Sequence, residues 1–140
     1  KHTTCRRQRQ MCIRDRTMRD LSKLSENRPG LIPVLGDARN PLSIAPYLRG
    51  KVDWIHQDIS IADQTKSFLH ISETFLKVGG IGLLSLKAAS ERWIEGGDDS
   101  RFELAKELIE SDEKISLLEN IDISHFESQH RVFVIRKESS

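Results

Sequence analysis

The sequence has few cysteines and no long apolar run. Its 140 residues include two cysteines, Cys5 and Cys12, which leave no basis for a disulfide framework or a spaced Cys/His zinc site. We therefore expect no metal. No apolar stretch approaches the roughly 18 to 20 residues needed to cross a bilayer, and charges stand where a signal peptide needs apolar residues. The sequence predicts a soluble, intracellular protein of about one domain, with no membrane contact.

The net charge of +1 conceals an uneven distribution of charged residues. Residues 1–16 hold six Lys/Arg and one acid, which leaves 16 Lys/Arg against 20 acids in residues 17–140, a net charge of about −4. A protein that grips nucleic acid unaided usually shows a strongly basic face. Any such contact here is expected to be local and to need other subunits.

The first 16 residues, KHTTCRRQRQMCIRDR, follow neither the helical nor the strand period. They fit three interpretations: a basic RNA-binding arm, a native disordered tail, or a translated sequencing-adapter or vector scar. We favour the scar and exclude these residues from fold reasoning. The folded part is expected to be 17–140.

From Thr17 onward the pattern alternates between helices and strands, which indicates an α/β protein. The predicted elements, in chain order, are a helix at 17–26, strands Leu31–Leu35 and Val52–His56, a helix Ala62–Lys77 ended by Gly79-Gly80, a strand Ile81–Leu86, a helix from a capping box at Ser100 and Glu103 to Ser111, and strands Lys114–Ile123 and Arg131–Arg136. Pro33 argues against a central position for the first strand. The last two strands follow each other directly, which predicts an antiparallel pair.

This order of elements resembles the tail of a class I methyltransferase, a Rossmann-like fold whose seventh strand inserts antiparallel beside the fifth. In such folds a first strand, a glycine-rich turn and a second strand come earlier. We expect those parts upstream of Thr17, so that residues 17–140 are the C-terminal two-thirds of the domain.

Several segments, in the right order, are similar to fibrillarin and its archaeal homologues. They are Met18-Arg19-Asp20-Leu21, Arg28 to Arg39, Val52 to Asp58 followed by Asp63-Gln64, Phe75 to Gly80, Leu84 to Ala88, and Gln129 to Val134. The chain departs from the family pattern at Ile61-Ala62, which replace Gln-Pro, and at Gln129, which replaces an acid.

The resemblance implies an enzyme that methylates the ribose 2′-hydroxyl of rRNA or tRNA with S-adenosylmethionine. The family shares this work between lysine, aspartate, lysine and histidine, and Asp58, Lys87 and His130 match the last three. Ligands bind beyond the carboxyl ends of parallel strands, so we expect all three at one sheet edge. The alternatives are a helix cap for Asp58, a solvated strand end for Lys87 and a turn histidine for His130.

By the same resemblance, Asp37 with Ala38 would hold the adenine amino group, Asp58 would help to bind the cofactor, and Gln64 would lie near the methionine end of the cofactor or near the Asp58 loop. A turn aspartate and a first-turn helix residue are the alternatives for Asp37 and Gln64. Arg92, in the Ser90–Gly97 loop, could touch RNA, although we favour an ordinary surface loop.

The partners implied by the resemblance are a box C/D guide RNA, a Nop-family scaffold protein and a kink-turn-binding protein. The expected location is the archaeal cytoplasm, or the nucleolus in a eukaryote. Because the glycine-rich turn, a ribose-binding acid and the first lysine would lie upstream, we expect the 140-residue chain to be inactive alone. Two other functions stay open: a scaffold subunit without catalysis, and a stand-alone methyltransferase, in which a glutamate would replace His130.

Overall fold

The computed structural model describes residues 17–140, so Cys5, Cys12 and the interpretations of the leader lie outside the described residues. The chain divides into two compact units, the first ending at Tyr47 and the second starting at Leu48. No helix among residues 17–140 combines the length and apolar composition that crossing a bilayer requires.

In the first unit, residues 17–26 are helical (α1), which confirms the predicted helix. The predicted strand Leu31–Leu35 is wrong, because residues 31–35 form no strand. A strand is held by ladder hydrogen bonds; Pro33 has no N–H to donate, and Leu35 is 77% exposed, so its apolar side chain gains little from burial. Two 3₁₀ turns follow, at Pro41–Ser43 and Ala45–Tyr47.

The second unit is built on a four-stranded sheet. Its elements are β1 (Val52–Gln57), α2 (Gln64–Phe75), β2 (Leu76–Lys87), a 3₁₀ turn (Ala88–Ser90), α3 (Gly97–Glu110), β3 (Ile115–Asp122) and β4 (His130–Lys137). The strand order is β1-β2-β4-β3, with β1 parallel to β2, and β4 antiparallel to both β2 and β3. The predicted antiparallel pair, and its insertion beside the preceding parallel strand, are confirmed.

Helices α2 and α3 both pack on one face of this sheet. Phe68 of α2 and Phe102 of α3 join one buried cluster with Leu84 of β2 and Phe133 of β4, which are paired across the two strands. Gly82 allows this close packing, because a Cβ there would lie 2.9 Å from Phe68 Cζ. The side chains at alternate positions of each strand therefore point to the opposite face.

Helix α2 is shorter than the predicted Ala62–Lys77, and the Gly79-Gly80 pair lies inside β2 instead of ending the helix. The buried Lys137 ammonium donates to the carbonyls of Glu73 (2.7 Å) and Leu76 (3.0 Å). Carbonyls at a helix C-terminus need such donors, and a distant lysine here takes the place of a glycine cap. Strand β2 can therefore begin at Leu76, directly after the last residue of α2.

Helix α3 starts at Gly97, one turn before the predicted capping box at Ser100 and Glu103, and that prediction is wrong. Gly96 precedes the helix with φ 93°, a conformation that glycine adopts without strain, and no side chain caps it. Asp98 and Asp99 place negative charge in the first turn, where the helix dipole favours it. The ends of β3 and β4 agree with the predicted strands to within one residue.

Candidate active site

The strand register brings Asp58, Lys87 and His130 to one edge of the sheet. Lys87 is the last residue of β2 and pairs directly with His130, the first residue of β4. Asp58 directly follows Gln57, which ends β1 and pairs with Leu84 of the parallel strand β2. We call this edge, defined by Asp58, Lys87 and His130, the carboxyl edge. The sequence predicts this convergence; the catalytic roles stay a prediction.

Strand alternation also places Lys87 and His130 on a common face. Leu84 and Gln57 lie on the helix-covered face, so Lys87, an odd number of positions from Leu84, faces away from the helices. His130 shares that face because directly opposed residues of an antiparallel pair point the same way.

His130 is nearly buried, at 8% exposure, and its Nδ1 lies 2.8 Å from the Ser128 carbonyl oxygen. A carbonyl can only accept, so Nδ1 carries the proton in this hydrogen bond, and in the neutral ring Nε2 is the proton acceptor. The preceding Gln129 has φ 62°, and its carbonyl accepts a bond of 2.9 Å from the Ala88 amide. The turn before β4 thereby sets the orientation of the imidazole.

The charged groups of Asp58 and Lys87 are available for an external ligand. Asp58 is exposed, and Lys87 is half-buried. Among residues 17–140, no ion pair engages either side chain. An uncommitted carboxylate and an uncommitted ammonium at one edge can orient and deprotonate a weakly acidic hydroxyl.

Gln64 was predicted to lie near the methionine end of the cofactor or near the Asp58 loop, and the structure bonds it to the strand ends beside that loop. The residue is 0% exposed; its Nε2 donates to the Lys87 carbonyl (3.0 Å), and its Oε1 accepts from the Lys87 amide (3.2 Å). Gln57 Nε2 in turn donates to the Gln64 carbonyl (3.0 Å). Both polar atoms of the Gln64 side chain are thus bonded to the Lys87 backbone, and its position near the cofactor stays a prediction.

Asp37 and Ala38, in the first unit, are both exposed. The Asp37 carboxylate accepts from the Arg39 amide (3.0 Å) and from its guanidinium (2.7 to 3.2 Å). The Arg39 side-chain hydrogen bond, with smaller contributions from the backbone bond and the charge, lowers the pKa of Asp37 from 3.8 to about 2. Asp37 can accept an amine, but Arg39, which the sequence reasoning did not single out, now occupies its oxygens.

Glu91 is a second residue that the sequence reasoning missed. Its carboxylate accepts from the backbone amides of Asp63 (3.2 Å) and Gln64 (2.8 Å), the first N–H groups of α2. Glu91 therefore caps the N-terminus of α2, the role that was the alternative interpretation of Asp58. No local sequence pattern could predict this cap, because Glu91 lies 27 residues after Gln64, beyond α2 and β2. Arg92, next to it, bonds Asp63 (2.9 Å), as suits a surface loop.

A cavity of about 210 Å³ opens between α2 and α3. Its walls include Glu91, Arg101, Leu104 and Leu108, but none of the residues that define the carboxyl edge. Among residues 17–140, no group of three or more His, Cys, Asp or Glu side chains is placed to hold a metal ion. The carboxyl edge is therefore the stronger candidate for chemistry.

A sheet with one face covered by crossover helices, and a final strand inserted antiparallel beside the parallel strands, defines a class I methyltransferase fold. Comparisons with known proteins agree. The chain superimposes on Methanococcus jannaschii fibrillarin with a TM-score of 0.77 and 32% identity, over 89% of this chain and 53% of that one. The Fibrillarin family model matches residues 11–139, and the chain belongs to the fibrillarin family.

Other similarities point the same way. The chain is 33% identical, over 87% of its length, to a fibrillarin-like rRNA/tRNA 2′-O-methyltransferase of Pyrococcus abyssi, of which it covers 52%. Aeropyrum pernix fibrillarin, solved with natively bound S-adenosylmethionine, has a TM-score of 0.66 and 26% identity, over 86% of this chain and 51% of that one. A fibrillarin/Nop5p complex has a TM-score of 0.78 at 24% identity, covering 88% of this chain and 57% of that one, a likeness of fold. The chain spans about half the length of these relatives.

Proposed function

We propose that the chain belongs to an enzyme that methylates the 2′-hydroxyl of RNA ribose with S-adenosylmethionine. The observation that carries this proposal is the carboxyl edge, where Lys87 faces His130 directly and Asp58 follows the neighbouring parallel strand. Membership of a family whose relatives are named rRNA/tRNA 2′-O-methyltransferases supports it. The substrate class is rRNA or tRNA, at a position chosen by a box C/D guide RNA.

Each of the three side chains has a distinct part in this chemistry. A ribose hydroxyl is a weak acid, so the Asp58 carboxylate accepts its hydrogen bond and steers the proton away. The Lys87 ammonium stabilises the negative charge that develops on the oxygen. His130 presents Nε2 as a proton acceptor because Nδ1–H is bonded to Ser128. S-adenosylmethionine supplies an activated methyl group.

The residues present fit the cofactor in part. The exposed Asp58 carboxylate suits donor groups such as an amine or a hydroxyl. The Asp37 carboxylate suits the exocyclic amine of adenine, provided that the exposed Arg39 guanidinium releases it. Ala38, also exposed and without a bulky side chain, leaves room beside it. Each of these residues is a candidate cofactor ligand by the chemistry of its own side chain.

The partners are part of the proposal. Residues 17–140 have a net charge of about −4 and therefore bind RNA weakly by themselves. Guide RNA and protein subunits would hold the substrate. The fold likeness to a fibrillarin in complex with Nop5p supports a Nop-family scaffold. A kink-turn-binding protein would complete the assembly. We place it in the archaeal cytoplasm, or in the nucleolus if the source is a eukaryote.

The test is methyl transfer by the protein expressed from its own reading frame, including any sequence upstream of Thr17. Tritiated S-adenosylmethionine, guide-paired RNA and a Nop-family protein are supplied. Asp58→Ala should lower the rate roughly 100-fold or more, because the ribose hydroxyl loses the carboxylate that accepts its hydrogen bond and steers its proton. Asp53→Ala is the matched control, since Asp53 is an exposed aspartate on β1, the strand that Asp58 follows, and its ion pair to Lys77 lies at the surface.

An unchanged rate in Asp58→Ala would refute the assignment of Asp58. A wild-type protein that joins the assembly but transfers no methyl group would favour the scaffold function instead. Transfer to RNA without guide or scaffold would favour a stand-alone methyltransferase.

A further inference from the structure

The side-chain amide of Gln64 forms two hydrogen bonds with the backbone of Lys87: its oxygen accepts from the Lys87 N–H, and its nitrogen donates to the Lys87 C=O. A primary amide has the same donor and acceptor pair as a peptide group, so this contact imitates one rung of a β-ladder. Strand β1 ends at Gln57, opposite Leu84, and leaves Lys87 without a partner strand on that side. Gln64 takes that place at the end of β2.

This contact agrees with the way Lys87 meets His130 in the β2–β4 ladder. Because the N–H and C=O of Lys87 both face Gln64, they cannot also bond β4, so Lys87 and His130 form a non-hydrogen-bonded pair. The bond from the Ala88 amide to the Gln129 carbonyl, on the next position, fits this register. Opposed Cα atoms in such a pair are about 4.5 Å apart, against about 5.5 Å in a hydrogen-bonded pair, and the side chains are closer.

The same residue also closes the segment that carries Asp58. Gln57 and Gln64 bracket residues 58–63, and the bond from Gln57 Nε2 to the Gln64 carbonyl joins the two ends. The Glu91 carboxylate in addition accepts a hydrogen bond from the backbone N–H of Gln64. One buried residue is thus bonded both to the end of β2 and to the base of the Asp58 segment.

We propose that Gln64 is a positioning residue, whose buried amide holds the Lys87 backbone so that Lys87, His130 and the Asp58 segment keep a fixed relative geometry. The proposal rests on the proposed function for its catalytic consequence. It differs from the cofactor contact predicted from the sequence, because Gln64 acts here through Lys87 and touches no ligand.

Two substitutions at this position and one control test the idea. Gln64→Leu keeps the volume and removes both hydrogen bonds. Gln64→Glu keeps the shape, but its ionised form cannot donate to the Lys87 carbonyl, whereas its protonated form can. The control is Phe68→Leu, a fully buried substitution on the same helix that packs over Gly82 and makes no hydrogen bond to Lys87.

The first measurement is NMR of the 140-residue chain and needs no activity. In Gln64→Leu, exchange of the Lys87 amide hydrogen should be at least about tenfold faster, because this amide loses its acceptor. In Gln64→Glu, the Lys87 and Ala88 amide resonances should titrate with the introduced carboxyl group and return toward wild-type positions at low pH. Phe68→Leu should produce neither effect. Unchanged Lys87 exchange in Gln64→Leu would overturn the proposal.

The second measurement is methyl transfer by the protein from its own reading frame. Positioning predicts that Gln64→Leu lowers kcat roughly 10- to 100-fold, with KM for S-adenosylmethionine within about twofold of wild type. A raised KM with unchanged kcat would mean cofactor contact and would overturn the proposal. A loss no greater than in Phe68→Leu would indicate a structural role and would also overturn it. An inactive wild-type protein would refute the proposed function, while the NMR result would still decide whether Gln64 holds Lys87.

Discussion

The pair Asp37 and Arg39 shows how much a single neighbour changes an exposed carboxylate. The Asp37 oxygens accept bonds from both the backbone and the guanidinium of Arg39, and these bonds favour the ionised form. Lowering the pKa of Asp37 from 3.8 to about 2 keeps it charged in mild acid. The folded state then gains stability from Asp37 above pH 3.8 and loses it as the pH falls toward 2.

Arg39→Gln should raise the pKa of Asp37 from about 2 toward 3.8, because the guanidinium bonds and the positive charge are lost. The measurement is a carbon-13 NMR titration of the Asp37 carboxyl group. Arg28→Gln is the matched control, since Arg28 lies in the same unit and does not bond Asp37. A midpoint that stays near 2 in Arg39→Gln would contradict the assigned cause.

At the scale of elements, both ends of α2 depend on residues that are remote in sequence. Glu91 accepts the first amides of the helix, and Lys137 donates to its last carbonyls. Each is a charged group at the helix end where the dipole favours its sign. Burial lowers the pKa of the Lys137 ammonium, so its charged form costs free energy that these carbonyls offset.

Lys137→Met should lower the free energy of unfolding by about 1 to 3 kcal/mol, because two carbonyls at a buried helix end lose their donor. Urea denaturation measures the change. Lys77→Met, which removes a half-exposed lysine from a surface ion pair, should stay within about 0.5 kcal/mol of wild type. Equal stabilities of Lys137→Met and wild type would show that the cost of burying the charge cancels the benefit of the hydrogen bonds.

At the scale of the whole molecule, β1 is an edge strand of the described sheet. It carries Trp54, which is 58% exposed. Edge strands with apolar side chains and unpaired backbone groups invite pairing with another chain. The chain should therefore associate through β1 as its concentration rises.

Trp54→Lys should reduce this association, because a charge on an edge strand disfavours pairing with a second copy. Analytical ultracentrifugation over a range of concentrations measures it. Trp93→Lys serves as the control, since Trp93 is even more exposed but lies in a loop. Similar reductions in both variants would attribute association to general hydrophobicity and not to the strand edge.

Local sequence patterns were sufficient for most elements of the second unit. Strands β3 and β4 were predicted to within one residue at each end, and their direct succession indicated an antiparallel pair. The predictions were wrong where one local pattern is compatible with two different structures. Leu31–Leu35 has the composition of a strand without forming one, and Ser100 with Glu103 has the spacing of a capping box but lies within a helix that starts earlier.

The amino-acid sequence alone determined the order of helices and strands in the second unit. With it came the edge that Asp58, Lys87 and His130 share, because the carboxyl ends of parallel strands and the start of an antiparallel neighbour lie at the same edge of a sheet. Only the tertiary structure decided that Gln64 bonds Lys87, that Glu91 and Lys137 cap α2, and that Arg39 holds Asp37. Each of these contacts depends on side-chain conformation, and most join residues far apart in sequence. Local patterns carry no record of such contacts.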